Sequence, residues 1–304
     1  MLLVHLGTIF MLFCFHCFVS VEAQQPPGKA GLAWPNGNSA DIRQYRTTGK
    51  VSWYYSWSSH PANTDLEFVP MLWGPAHIDE FNRMIVRSNG RPSFSTVLGM
   101  NEPQQTGQSN ISPEDGAQLW KTYLQPLKDR GIRLGSPAPS SALSGKTWLQ
   151  SFLGVCGVDC TVDFIALHWY GTNATQFINY VVDFHDTFQR PIWVTEWACQ
   201  NFADLSKQCS YDEVMQFLKT TQGFMDDMDF VERYAWFGAM KEMQDVNEAN
   251  SLMTKEGRIN ELGAQYIGSD GAEVAGNSGE RSTRTNTLTT TIFIFIIFGL
   301  LSFE

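Results

Sequence analysis

Eight short apolar runs, separated by stretches of helical periodicity, constrain this chain more than any other feature of its sequence. The runs are 31–34, 51–57, 67–73, 95–100, 133–136, 163–168, 192–195 and 234–239. Several are continuously apolar rather than alternating, as strands are in a parallel sheet covered on both faces. Helical patterns fill most of the gaps, at 78–87, 113–130, 147–153, 176–188, 211–228 and 260–267. Ser112, Pro113 and Gly131 supply a cap, a first helical position and a stop, and Pro126 predicts a kink. Ser210 and Glu213 have the spacing of a capping box. The segment 58–65, after the second run, reads as a loop. Eight strands alternating with helices imply a single-domain α/β fold, a right-handed (β/α)8 TIM barrel. An open doubly wound sheet would carry a glycine-rich phosphate turn after its first strand, and Trp34-Pro35-Asn36-Gly37-Asn38-Ser39 has no such fingerprint.

The two ends read differently from the middle. Residues 2–20 are almost wholly apolar, and Val21-Glu22-Ala23 is a small-x-small cleavage site. A secretory signal peptide over 1–23 is expected. At the other end a small-residue cluster (275–279), a polar spacer (280–286) and an apolar tail (288–303) form the pattern of a glycosylphosphatidylinositol-anchor signal. Asn277 is the expected attachment residue, with Gly276 and Ser278 as neighbouring alternatives; 269–277 would be a linker and 278–304 would be removed. The tail is shorter than the ~20 residues of a full membrane span, which favours the lipid anchor over a tail-anchor helix. The remaining 24–268 has the usual barrel size of about 250 residues.

The formal net charge of −10 argues against a nucleic-acid partner and offers anionic lipid no attraction. Membrane contact is therefore expected only through the lipid anchor. A neutral polysaccharide is indifferent to that charge, and the ten Trp residues offer stacking surfaces for sugar rings as well as core filling. A monomer is expected. Cys14 and Cys17 would leave with the signal peptide, so Cys156, Cys160, Cys199 and Cys209 remain. Four cysteines allow three connectivities; the local pairs Cys156–Cys160 and Cys199–Cys209 are the simplest, each closing one loop. An oxidising export route and the lack of nearby His clusters disfavour zinc, so no metal and no cofactor are expected. Asn110 and Asn173 head glycosylation sequons.

Glu102 follows the fourth run in STVLGMNEP and Glu196 the seventh in PIWVTEWA. A carboxylate at the tip of a buried strand is expensive unless it has a task, and loops after barrel strands converge at one face whatever their sequence distance. Two convergent carboxyls are the equipment of a glycosidase. One is held protonated to donate to the leaving oxygen; the other is ionised to attack the anomeric carbon.

The segments LGMNEP, FIALHWYG, IWVTEWAC and YAWFGAM resemble the Asl1-like cell-wall hydrolases, the fungal side of glycoside hydrolase family 128, over most of 30–267. The resemblance implies a retaining β-1,3-glucanase on a (β/α)8 barrel, with β-glucan as its polysaccharide partner; with the two terminal signals, an endo-acting enzyme at the cell surface is the leading expectation. It matches Glu102 to the acid/base, Glu196 to the nucleophile and Asn101 to a contact of the sugar 2-hydroxyl. It matches His168 and Tyr170 to a pair that positions the carboxylates, and Trp236 to a platform under the sugar. Trp34, Trp53, Tyr55, Trp57 and Trp73 stand near the ends of the first three strands; Trp34 and Trp73 are taken as groove residues. Alternation places Trp53, Tyr55 and Trp57 on one face and Tyr54 on the other without saying which face is inward. The broader group usually carries an Arg on strand two beside the nucleophile, and this strand has none. A non-catalytic glucan-binding protein, and an exo-acting or transglycosylating enzyme, are the competing readings.

Overall fold

The computed structural model describes residues 28–86 and 93–269. The expected signal peptide, the anchor signal with Asn277, all of the linker but Ser269, and Arg87 lie outside the described residues. Eight parallel strands form the framework: β1 Ala30–Ala33, β2 Val51–Tyr55, β3 Glu67–Phe68, β4 Thr96–Leu98, β5 Arg133–Gly135, β6 Ile165–Gly171, β7 Ile192–Cys199 and β8 Val231–Trp236. Six pair in the order β3-β2-β1-β8-β7-β6 and two as β4-β5. Parallel bridges Met71–Leu98 and Gly135–Phe164 join the two sheets at both seams and close the barrel.

Strand bounds depart from the sequence reading where the backbone has a reason to depart. The third run is regular for only two residues because Pro70 has no N–H to give the ladder. The seventh run continues to Cys199, so Glu196 lies within β7 rather than at its tip. The eighth begins at Val231, three residues before the apolar run, and ends at Trp236.

The helices are α1 Ile78–Phe81, α2 Pro113–Leu119, α3 Leu143–Cys156, α4 Ala174–Phe188, α5 Tyr211–Asp227 and α6 Glu261–Ile267. Ser112 caps α2 by accepting from the Asp115 N–H, and Gly131 ends the segment with φ 76°. Pro126 does more than kink it. The chain passes through a π-helical turn at Trp120–Leu124 and a 3-10 segment at Gln125–Arg130, because the proline cannot donate and its ring crowds the preceding turn. The Ser210–Glu213 capping box opens α5 as expected. Phe177, Val181, Phe184 and Phe188 form the buried face of α4. β1 is followed by a 3-10 turn, Ile42–Tyr45, and 58–65 is a loop.

Two apolar layers result. Trp53, Tyr55, Phe164, Ala166, Trp193 and Ala235 are among those filling the barrel, while Tyr54 faces the helix layer. That settles the phase of β2. Large rings fit the interior because glycine faces them: a Cβ on Gly31 would lie 2.2 Å from the Trp53 ring, and one on Gly135 2.4 Å from Phe164. Both cysteine pairs are the local ones, Cys156–Cys160 after α3 and Cys199–Cys209 after β7. Asn110 and Asn173 are exposed.

Candidate active site

Glu102 is presented by a distorted turn. Past β4, Asn101 bridges to Ala138, its N–H donates to Trp73 O, and the Glu102 N–H donates to Ala138 O at 2.8 Å. Glu102 itself has φ 39°, a left-handed conformation that non-glycine residues avoid. The following Pro103 adds to the restriction. Such strain persists only where surrounding bonds over-determine it, and it is common at catalytic positions.

Glu196 reaches the same spot from β7 through a register shift. Leu167 pairs with Val194, then His168 pairs with Glu196, so Thr195 is the extra residue of a bulge. The bulge sets His168, Tyr170 and Glu196 at one mouth of the barrel. His168 Nδ1 lies 3.0 Å from Glu102 Oε1 and 3.4 Å from Glu196 Oε2. The Tyr170 hydroxyl donates to Glu196 Oε2 at 2.6 Å, and the Trp57 indole N–H donates to Oε1 at 2.7 Å. One oxygen of each carboxyl and one ring nitrogen of His168 all lie within 4.8 Å of one another. Glu196 is buried, and the Glu102 side chain is 12% exposed.

Burial pushes the His168 imidazole down, but the charge of Glu196 and the hydrogen bond and charge of Glu102 outweigh it, so its pKa is raised above 6.5. Burial pushes the Glu196 carboxyl above 4.5; His168 opposes, Glu102 adds, and Tyr170 and Trp57 pull it back. Burial, then Glu196, holds the Tyr170 phenol well above its ordinary range, so it remains a donor. The sign for stability follows. The stabilisation from a raised His168 is complete below its unfolded value of 6.5 and is lost as pH rises through the folded value. A raised Glu196 favours the folded state most below 4.5, and that contribution also falls as pH rises. Thermal denaturation between about pH 5 and 9 is expected to show Tm falling steadily with pH. Glu196→Gln is expected to flatten that slope, since it removes one titrating group and the largest upward influence on the other; an unchanged slope would refute the coupling.

The mouth opens into a cleft of about 820 Å³. Asn101 lines it, 4% exposed, with its amide tied to Gln108 Oε1 at 3.1 Å. Tyr170 and Trp73 also line it, and His168 lies fully buried behind both carboxylates. Two expected groove residues are placed elsewhere. Trp34 follows Ala33, which points into the barrel, so alternation turns Trp34 outward, where its N–H meets Gly37 O. Trp236 is likewise turned to the helix layer, perpendicular to Trp197 at 5.0 Å and donating to Asn250 O. It is core, and Phe237, one residue on, lines the cleft. Phe202 was missed, and Trp57 was not singled out among five candidate aromatics. The Trp57 contact could have been suspected only from the lack of a strand-two Arg.

Comparison with known proteins gives this geometry a context. The family model described as glycosyl hydrolase catalytic core matches residues 31–266. The chain belongs to this family. Alkali-sensitive linkage protein 1 of Schizosaccharomyces pombe is 34% identical over 244 residues, covering 79% of this chain and 44% of that protein, so the chain spans under half the length of this relative. Among solved structures, a subgroup VI glycoside hydrolase family 128 exo-β-1,3-glucanase from Aureobasidium namibiae is 28% identical, with TM-score 0.69 over 80% of this chain and 97% of that one. A subgroup II endo-β-1,3-glucanase from Sorangium cellulosum is 28% identical, with TM-score 0.67 over 79% and 98%. A subgroup I endo-enzyme from Amycolatopsis mediterranei, solved with laminarihexaose, is 28% identical with TM-score 0.64 over 80% and 98%.

Proposed function

We propose that this glycosyl hydrolase is a retaining endo-β-1,3-glucanase, exported and held at the cell surface by a lipid anchor. The observation that carries the mechanism is the approach of Glu102 and Glu196 oxygens to within 4.8 Å. Retaining enzymes place their carboxyls roughly 5–5.5 Å apart, whereas inverting ones need roughly 6.5–9.5 Å to seat a water between them. Glu196, with Trp57, Tyr170 and His168 around it, is the nucleophile. Its charge is localised by the Trp57 and Tyr170 donors, which Glu102 lacks, and an indole N–H leaves Oε1 only the role of acceptor. Glu102 protonates the leaving oxygen, then takes a proton from the water that hydrolyses the glucosyl-enzyme.

The substrate class is supported by the lining. Glu102 and Glu196 are the only charged side chains among the described residues of the cleft, which fits a neutral glycan. The structures solved for relatives are β-1,3-glucanases. An exo mode is the second reading, because relatives of equal identity include exo-enzymes. The export and anchor proposals rest on the apolar start and tail of the chain.

The test is a panel of β-1,3-, mixed-linkage β-1,3/1,4- and β-1,6-glucans with the soluble 24–277 fragment, followed by proton NMR of the first products. Release of β-anomers from laminarin, with a ladder of intermediate oligosaccharides, is expected. First-formed α-anomers would overturn retention, and glucose alone would replace endo by exo.

A further inference from the structure

The loop after β7 carries an exposed aromatic that the fold has no use for. Phe202 is 56% exposed, yet it lines the cleft and sets its ring at 62° and 5.3 Å to Tyr170, which holds Glu196. An exposed ring adds little to a core. The loop beneath it is nevertheless fixed with unusual thoroughness. The Cys199–Cys209 bridge closes it. Within it, Asn201 Oδ1 accepts the N–H groups of Ala203 and Asp204 at 3.0 and 2.9 Å, and Gln208 exchanges two hydrogen bonds with the Asn201 backbone. From outside, Asn250 exchanges two hydrogen bonds with the Cys199 backbone, and Asn247 donates to Cys209 O. That second segment also brings Gln244 to the same cleft, with φ 50°.

We propose that Phe202 is the stacking face of a glucosyl-binding subsite beside the cleavage point, held in advance by the cystine loop, with the Gln244 amide available to sugar hydroxyls. A β-linked glucosyl ring presents axial C–H groups on both faces. These suit the negative face of an aromatic ring, while amides recognise the equatorial hydroxyls. Because the loop is already ordered, binding does not incur the entropy of arranging it. The inference deepens the glucanase reading and rests on it for the identity of the sugar.

Binding of laminarihexaose is measured by tryptophan fluorescence in the Glu102→Gln background, with and without Phe202→Ala, and turnover in the Glu102 background. Phe202→Ala is expected to raise Kd about tenfold (about 1.4 kcal/mol) and to lower kcat/KM by a similar factor. The effect on laminaribiose should be smaller, and Tm should not move, since the ring is outside the core. Phe202→Trp should bind within about twofold of the parent, because it keeps a stacking face. An unchanged Kd with Phe202→Ala, or equal losses with alanine and tryptophan, overturns the subsite. Binding sensitive to Phe202 in a protein that hydrolyses no glucan would uphold the subsite and remove the hydrolase reading instead.

Discussion

Glu196→Gln is expected to leave a folded protein whose kcat on laminarin is lower by roughly 10⁴–10⁶-fold, the loss that follows removal of a covalent nucleophile. The fold should survive because glutamine has the same shape. Its carbonyl can still accept from the Trp57 N–H, and its amide can donate to the Tyr170 hydroxyl. Glu102→Gln is expected to lose about 10²–10⁴-fold on the polysaccharide, the usual contribution of a general acid/base. That loss should shrink on an aryl glucoside whose leaving group needs no proton. Azide separates the roles further. In Glu102→Ala it replaces water and attacks the glucosyl-enzyme from the β face, giving β-glucosyl azide. In Glu196→Ala it takes the nucleophile's place on the α face and gives the α-azide. An exchange of these two products would exchange the two assignments; wild-type rates in either glutamine variant would end the glycosidase reading of this pair.

How much of this was readable from residues alone varies with what sets each feature. The eight strands and the caps of α2 and α5 were readable because local signals agree with the global fold: apolar runs, Ser112, Ser210 with Glu213, and Gly131. The convergence of the two carboxylates was readable because loops and strand ends of a barrel gather at one face whatever their sequence distance. Side-chain phase was not. Closeness to a strand end puts Trp34 in the groove and the family resemblance puts Trp236 there, yet a one-residue difference in where a strand turns sends a side chain to the opposite layer. The inner layer of this barrel also wants large rings, as Trp53 and Trp193 show, so hydrophobicity carries no sign for inside or outside. The bulge at Thr195 had no signature in the sequence, yet it sets His168 against Glu196. Phe202 was missed because its importance comes from a loop that two segments brace, and neither segment announces the other.

Trp57→Phe is expected to lower kcat/KM by about 10–150-fold, matching the roughly 1.5–3 kcal/mol of a hydrogen bond to a charged group. The substitution keeps an aromatic ring on the side where the indole packs on Tyr55 at 4.8 Å and on Phe237 at 5.9 Å, and loses the five-membered ring with the N–H that meets Glu196 Oε1. Trp57 is held at φ 54°, a strained conformation for a bulky residue, so the backbone itself is bent to aim that N–H. Here lies the answer to the absent strand-two Arg. No Lys or Arg is among the described residues lining the cleft; neutral donors and His168 surround Glu196 instead. Neutral donors leave its counter-charge to a group that titrates, so activity should be bounded on both sides of pH. The acid limb reports Glu196, raised above 4.5, and loss of the His168 charge, raised above 6.5, contributes to the alkaline limb. Because the Trp57 bond lowers the Glu196 pKa, Trp57→Phe should move the acid limb of kcat/KM upward, with the alkaline limb moving less. Tyr170→Phe should move it the same way, since its bond to the other oxygen acts in the same sense. A merely structural role for Trp57 would lower Tm and leave both limbs in place, and that result would rule out the indole as the device that keeps Glu196 charged.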